Sequence, residues 1–153
     1  MIDDTSYKIL KILQDRARVP NIEVSRQVGL APSAVLERIR KLEKQGFIDG
    51  YEVRLNPQKF HHSRIAFIRM QIDAAKEKEI TTKLQDIDEI QEIHLVTGSD
   101  GLLLKIRCAD DAALQQLLFT VLKDIPGVLA TSTETVLATR KETSRIPLLK
   151  PPQ

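Results

Sequence analysis

Basic and small polar residues share one side of the segment from Ser33 to Gln45, and aliphatic residues share the other. At about 100° per residue on a helix, the aliphatic side consists of Val35, Leu36, Ile39 and Leu42. The polar side consists of Ser33, Ala34, Glu37, Lys41 and Lys44, flanked by Arg38 and Arg40. A helix that lies in the major groove of DNA needs one face that packs and another that is mostly cationic. The spacing therefore favours a recognition helix.

The polar side chains around this helix are candidates for contact with DNA. One group is predicted to face base edges: Ser33, Ala34, Glu37, Arg38 and Lys41. A second group is predicted to face phosphates: Arg26, Arg40 and Lys44. Arg and Lys can donate to guanine acceptors, and the Glu37 carboxylate can accept from cytosine N4. Taken alone, the pattern fits a solvated charged face equally well.

The preceding residues predict two shorter helices that would position this one. The first is expected from about Ser6 to Arg16, with Ser6 as its N-cap. Asn21 is expected to cap a second helix that ends at Val28, and Gly29 suits the left-handed residue that follows a helix. Two short helices joined by a tight turn, the second of them basic, predict a helix-turn-helix.

The remainder of the chain alternates strand and helix signals. A strand is predicted over Phe47–Leu55, and a hinge follows to Ser63. The later elements are strands at 65–72, 90–97, 102–108 and 128–138, with helices at 76–86 and after the cap Asp110. The order β-α-β-β-α-β is that of a ferredoxin-like sandwich. The open face of its sheet carries apolar residues, so we expect it to pair with another subunit.

The predicted fold class is therefore α+β, a winged helix-turn-helix followed by a ferredoxin-like βαββαβ sandwich. Its expected divisions are residues 1–50 for DNA binding, 51–62 for a linker strand and hinge, 63–145 for ligand sensing and oligomerisation, and 146–153 for a tail. The sequence offers no physical argument for whether that tail packs on a neighbour.

Composition limits the function classes. The formal net charge is only +2, but residues 1–59 hold 11 Lys and Arg against 8 Asp and Glu, so positive charge concentrates in the first part. No apolar run reaches the about 20 residues of a membrane span, and no signal-peptide core is seen. The single cysteine, Cys108, excludes an internal disulfide. We expect a cytoplasmic protein with no metal and no cofactor.

The N-terminal segment from Ile2 to Pro57 resembles the Lrp/AsnC regulators, the leucine-responsive and asparagine-synthesis regulatory proteins. The resemblance is carried by Val28-Gly29-Leu30, by Leu36 to Leu42, and by Gly46-Phe47-Ile48 with Gly50-Tyr51. The later part matches in its element order and in Val96-Thr97-Gly98. Membership would imply a regulator of transcription that binds double-stranded DNA, forms dimers and often tetramers or octamers, and holds an amino acid or similar effector between subunits.

The resemblance places that effector near the loop that joins the two middle strands. The candidate effector-binding residues are Thr97, Gly98, Ser99, Asp100 and Gly101. The two glycines would let backbone N–H groups approach a carboxylate, and Ser99 or Asp100 could bond an ammonium group. The family usually has an acidic residue and then an aromatic at the positions of Gly101 and Leu102. Because this chain differs there, the resemblance does not identify the effector. A tight hairpin without a ligand is an equal alternative.

Two other functions remain as alternatives. Some tetrapyrrole-pathway decarboxylases resemble the same family without binding DNA, and His94 with Arg69 or Arg107 is the only material here for such an active site. The other alternative is a co-regulator that binds ligand and partner subunits only. The basic third helix favours DNA binding over both alternatives, so we expect a protein that is not an enzyme.

Overall fold

The computed structural model describes residues 2–98 and 101–148, and the chain divides into two compact units. The first, here called the helical unit, contains the chain up to Arg54 together with the chain from Glu142 onwards. The second, the sheet unit, spans Leu55–Lys141. The segment after Lys141 thus groups with the helical unit, whereas residues up to 145 were expected in the ligand-sensing domain. Ser99 and Asp100 lie outside the described residues.

Three helices form the helical unit: α1 at Asp4–Asp15, α2 at Asn21–Val28 and α3 at Pro32–Lys44. Their shared core contains Ile9, Leu10, Leu13, Val19, Val24, Val35, Ile39 and Leu42. On α3 the buried residues recur at i, i+4 and i+7, which is the narrow stripe of an amphipathic helix. Leu36 was predicted to share this stripe, but it is 37% exposed because it lies on the flank of the stripe.

The start of α1 differs from the prediction. Asp3, not Ser6, is the N-cap, and its carboxylate accepts a hydrogen bond from the Ser6 backbone N–H at 2.8 Å. Ser6 is buried inside the first turn of the helix. The expected cap at Asn21 was also wrong, because Asn21 is already helical and Pro20 precedes it without a side-chain cap. An Asp has the same capping ability as a Ser, so residue type alone did not separate the candidates.

The turn between α2 and α3 is the predicted one. Gly29 follows α2 with φ 72°, and its N–H donates to the Ser25 carbonyl at 2.9 Å. Only glycine adopts this left-handed conformation without steric cost. Pro32 then occupies the first position of α3, where its missing N–H removes no helical hydrogen bond.

The predicted strand at Phe47–Leu55 is not formed. Residues 48–56 adopt no regular element, and Tyr51, Val53 and Leu55 are 50%, 83% and 61% exposed. Alternating apolar and polar residues suit a strand, but a strand also needs a neighbour that pairs with its backbone. Within the described part of the chain, no strand pairs with this segment. A short 3-10 helix follows at Pro57–Phe60.

The sheet unit contains four strands and two helices in the predicted order. The elements are β1 at Arg64–Ile72, α4 at Glu77–Gln85, β2 at Ile90–Leu95, β3 at Leu102–Cys108, α5 at Asp111–Gln116 and β4 at Val128–Thr135. The helix of α5 continues as a π-helical turn over Leu117–Leu122. Asp110 caps α5 as expected, by accepting from the Ala113 N–H at 2.8 Å.

The strands are antiparallel in the order β2-β3-β1-β4, which is the ferredoxin-like arrangement. One face of the sheet packs against α4 and α5. Its core includes Ala66, Ile68 and Met70 from β1 and Leu102, Leu104, Ile106 and Cys108 from β3. Ile80 and Leu84 of α4 and Leu114 of α5 cover them. This alternation along β1 and β3 is the pattern from which the strands were predicted.

The open face of the sheet carries both apolar and charged residues. Cross-strand register places Phe67 beside Lys105 and Leu103 beside His94, so apolar and charged side chains alternate there. Lys105 pairs with Glu92 at 3.0 Å, and Arg69 pairs with Glu134 at 3.4 Å. The predicted apolar residues are thus present but alternate with basic ones, and the pairing of this face with another subunit stays a prediction.

The described part of the C-terminal tail packs on the helical unit. The Gln14 amide donates to the Ile146 carbonyl at 2.8 Å and accepts from the Ile146 N–H at 3.3 Å. Arg145 forms an ion pair with Asp15 at 2.7 Å, and Leu148 packs against the helical core. Residues after Leu148 lie outside the described part of the chain.

Candidate nucleic-acid interface

The outward side of α3 carries most of the residues predicted to contact DNA. Ser33, Glu37, Arg40, Lys41 and Lys44 are exposed, and Ala34 is half-buried. The buried stripe of Val35, Ile39 and Leu42 holds the opposite side of the helix against α1 and α2. Since this stripe faces the core, the cationic residues of the other side are held on the protein surface.

The predicted cations other than Arg38 are chemically available. Arg26, Arg40, Lys41 and Lys44 are exposed, and within residues 2–98 and 101–148 their side chains form no hydrogen bond or ion pair. Arg64, Arg69 and Arg145, by contrast, each have an acidic partner. Cations left without a carboxylate on one exposed surface favour an external anion such as phosphate.

Arg38 differs from these cations. It is half-buried, and its Nη1 lies 2.6 Å from Asp3 Oδ2 and 3.1 Å from Ser6 Oγ. The pKa of Asp3 falls to about 2, mainly because its carboxylate accepts the Ser6 backbone N–H and also because Arg38 bonds to it. Asp3 therefore stays ionised at neutral pH. Sequence reasoning missed Asp3 as a partner of α3, since the two residues are 35 positions apart.

A second contact fixes the segment after α3. The Tyr51 hydroxyl donates to Glu43 Oε1 at 2.8 Å. Partial burial of the hydroxyl, together with this carboxylate, raises the pKa of Tyr51 to about 12, so the hydroxyl remains a proton donor at neutral pH. Glu43 is the acidic residue of the last helical turn, and this bond occupies one of its oxygens.

The predicted effector loop is described only at its two ends. Thr97 and Gly98 are exposed after β2, and Gly101 precedes β3. The Val96 N–H donates to the Gly101 carbonyl at 2.9 Å, which closes the base of the loop. Gly98 and Gly101 have φ of 118° and 81°, and a Cβ at Gly101 would lie 3.0 Å from Ile72 Cγ1. Both glycines thus have a conformational role, whether or not the loop binds a ligand.

The residues that could form an active site of the decarboxylase type each bond to another polar side chain. Arg69 pairs with Glu134, His94 lies 3.1 Å from Glu92, and Arg107 donates to Gln91 at 3.0 Å. Hydrogen bonds from His94 and Lys105 lower the pKa of Glu92. Arg69, His94 and Arg107 thus all have polar partners, and the described residues contain no group of three or more His, Cys, Asp or Glu side chains that could hold a metal ion.

Family models match both parts of the chain. Residues 2–49 match a winged helix-turn-helix DNA-binding domain, and residues 65–146 match the Lrp/AsnC ligand binding domain. The leucine-responsive regulatory protein of Escherichia coli K12 is 38% identical over 148 residues, which cover 95% of this chain and 90% of that protein. The chain belongs to the Lrp/AsnC family. It is a DNA-binding transcription regulator with a domain for a small-molecule ligand.

Solved structures of transcription regulators share the same architecture. A transcriptional regulator from Neisseria meningitidis, crystallised as a complex with L-Met, superposes with a TM-score of 0.93 at 31% identity, with 97% of each chain covered. Escherichia coli AsnC superposes with a TM-score of 0.89 at 26% identity, over 97% of this chain and 99% of that one. The predicted fold class and family are thus confirmed. In the described part of the chain no helix has the length and apolar character of a membrane span.

Proposed function

We propose that this Lrp/AsnC protein inserts the exposed side of α3 into the major groove of its operator. The observation that carries the proposal is the set of exposed cations around α3 that no described side chain neutralises. In other proteins, a charged helix face that only contacts solvent often contains ion pairs between its own residues. Here the paired member, Arg38, lies on the flank of the buried stripe, and the unpaired members point outward.

The proposed roles follow from reach and chemistry. Ser33, Ala34, Glu37 and Lys41 lie along the centre of the exposed side and face base edges. Arg26, Arg40 and Lys44 lie beside it and face phosphates. Glu37 supplies an acceptor, so it favours cytosine N4 and disfavours a phosphate at the same place. Ala34 is small enough for close approach and suits the methyl group of thymine.

The proposed assembly is a homodimer or a larger even oligomer, and the protein acts in the cytoplasm on chromosomal DNA without catalysing a reaction. A two-fold dimer presents two copies of α3 and requires a roughly palindromic operator. Its half-sites are separated by about one helical turn or a multiple of it. Whether transcription rises or falls depends on where the operator lies relative to the promoter.

The direct test is a binding titration with the DNA upstream of the gene, since self-regulation suits a regulator of this kind. Fluorescence anisotropy should show affinity for this duplex that exceeds affinity for a shuffled duplex by about a thousandfold or more at moderate salt. Equal affinity for both duplexes contradicts sequence-specific recognition. Binding to neither duplex at low salt contradicts the proposal and favours the co-regulator alternative.

We further propose that an amino acid binds at the loop between β2 and β3. Support comes from the ligand-binding-domain match, from the L-Met complex of the Neisseria meningitidis regulator, and from the two positive-φ glycines at the ends of the loop. Backbone N–H groups exposed by such glycines can bind a carboxylate. Thr97, Gly98 and Gly101 would then contribute together with Ser99 and Asp100.

Calorimetric titration with L-methionine and L-leucine tests the effector proposal. Heat is expected from at least one of them, and Gly98→Ala should abolish it because a side chain at φ 118° strains the loop. Gly46→Ala is the matched control, since Gly46 also has positive φ and open surroundings but lies in the helical unit. Heat that is retained in Gly98→Ala, or absent from the unaltered protein with both amino acids, contradicts this effector site.

A further inference from the structure

We infer that Asp3 and Arg38 are positioning residues, which set the orientation of α3 for DNA and do not themselves contact it. The inference rests on the proposed function, in which α3 enters the major groove. Asp3 stands at the N-terminus of α1, and Arg38 stands in the middle of α3. Their ion pair therefore connects the recognition helix to the first helix of the unit.

The two oxygens of the Asp3 carboxylate perform different tasks. Oδ1 accepts the Ser6 N–H at 2.8 Å and so caps α1, while Oδ2 accepts from Arg38 at 2.6 Å. Ser6 takes part in both, because its backbone is capped and its hydroxyl accepts from Arg38 Nη1 at 3.1 Å. Both protons of Nη1 are thus engaged within the protein. A guanidinium that bonds to two acceptors is held in one orientation. We call this pair of bonds from Arg38 to Asp3 and Ser6 the tie between α1 and α3.

The packing of α3 explains why such a tie is needed. Its buried stripe has one residue per turn, Val35, Ile39 and Leu42, and apolar contacts along a narrow stripe are non-directional. Rotation of the helix about its axis moves the side chains of Glu37 and Lys41 relative to the bases that they would read. A directional bond at Arg38, on the flank of the stripe, opposes this rotation.

Asp3→Asn separates this role from direct contact with DNA, because Asn caps a helix as well as Asp does but has no charge to hold Arg38. Loss of the tie should weaken binding to the operator about fivefold, the equivalent of about 1 kcal/mol for an ion pair of this exposure. The direction of the change in affinity is informative, since removal of a negative charge near DNA would by itself strengthen binding. If Arg38 instead contacts DNA, Asp3→Asn frees it and affinity rises.

Arg38→Gln should weaken binding by a similar factor, and the double variant Asp3→Asn/Arg38→Gln should bind no more weakly than either single variant. The slope of log affinity against log salt should stay unchanged in all three, because no phosphate contact is lost. Arg38→Lys, which keeps a cation for Asp3, should recover part of the affinity.

Asp4→Asn is the matched control, since Asp4 is the exposed neighbour of Asp3 in the first turn of α1. The affinity of this variant for DNA should stay within about twofold of that of the unaltered protein.

Circular dichroism and urea unfolding of each variant show whether the helical unit is intact. Stronger binding in Asp3→Asn, or a salt slope that falls by about one unit in Arg38→Gln, overturns the inference and makes Arg38 a DNA contact. Affinities within twofold of the unaltered protein in both single variants also overturn it and leave an ordinary surface ion pair. If these variants bind like the unaltered protein while loss of Arg40 and Lys44 weakens binding, the proposed function stands and only the inference fails.

Discussion

Replacement of both Arg40 and Lys44 by alanine should weaken DNA binding evenly over specific and shuffled sequences. Each lost phosphate contact removes about one unit from the slope of log affinity against log salt, so the slope should fall by about two units per half-site. At about 0.1 M salt this corresponds to a loss of affinity of about 50-fold per half-site. The large effect is expected because both side chains are exposed and have no acidic partner in the described part of the chain, so none of their charge is already neutralised.

Lys78→Ala/Lys83→Ala is the matched control for this pair. Both lysines are exposed on α4 in the sheet unit, and their loss changes the net charge by the same amount. Their removal should change the salt slope by less than about half a unit. An equal loss of affinity in both double variants would mean that net charge, and not the position of α3, determines binding.

Leu104→Ala should destabilise the sheet unit by about 2–5 kcal/mol, a large part of the stability of a domain of this size. Leu104 lies in β3, one of the two inner strands, and it is fully buried between Ile68 of β1 and Ile93 of β2. Truncation leaves a cavity that neighbours on both sides cannot fill, since each is held by the register of its own strand. Urea unfolding monitored by circular dichroism should show the loss as a lower midpoint.

Leu137→Ala removes the same atoms from a side chain that is 98% exposed. It should change the free energy of unfolding by no more than about 0.5 kcal/mol. A loss of less than about 1 kcal/mol in Leu104→Ala would contradict the buried position of β3. The unfolding of the helical unit should be little affected by either substitution, because both residues belong to the sheet unit.

The elements that sequence patterns predicted well are those whose partners lie nearby in the chain or repeat at short intervals. The predicted bounds of β3 are those that form, since the buried residues Leu102, Leu104, Ile106 and Cys108 alternate with half-buried ones. The turn at Gly29 and the cap at Asp110 were predicted from local chemistry alone. In each case the residues that predict the element lie within it or within a few positions of it.

Features that depend on distant residues were missed. The Asp3–Arg38 ion pair joins residues that are far apart in sequence, and Arg38 by type and spacing resembles the free cations Arg40 and Lys41. The segment 47–55 has the alternation of a strand, but the alternation cannot show whether a pairing strand is available. The contact of Arg145 with Asp15 likewise depends on the path of the chain after β4, which no local pattern specifies.

The candidate sites were predicted from residue type and family resemblance, and they remain predictions at the level of single residues. The structure shows that five residues of the predicted DNA-binding set are exposed on α3, and that Arg38 is engaged within the protein. It describes Thr97, Gly98 and Gly101 of the effector loop. Contacts with bases and with an effector require a second molecule, so neither sequence pattern nor the isolated chain specifies them.

Cleavage of DNA by a reagent attached to α3 tests the central claim most directly. Cys108 is the only cysteine, and burial raises the pKa of its thiol, so a cysteine introduced at Glu37 can be labelled selectively. An iron-chelate reagent at Glu37→Cys should cut the operator within each half-site, in the pattern of a probe in the major groove, while the same reagent at Lys83→Cys should not cut there. Cleavage from Lys83→Cys but not from Glu37→Cys would contradict recognition by the exposed side of α3.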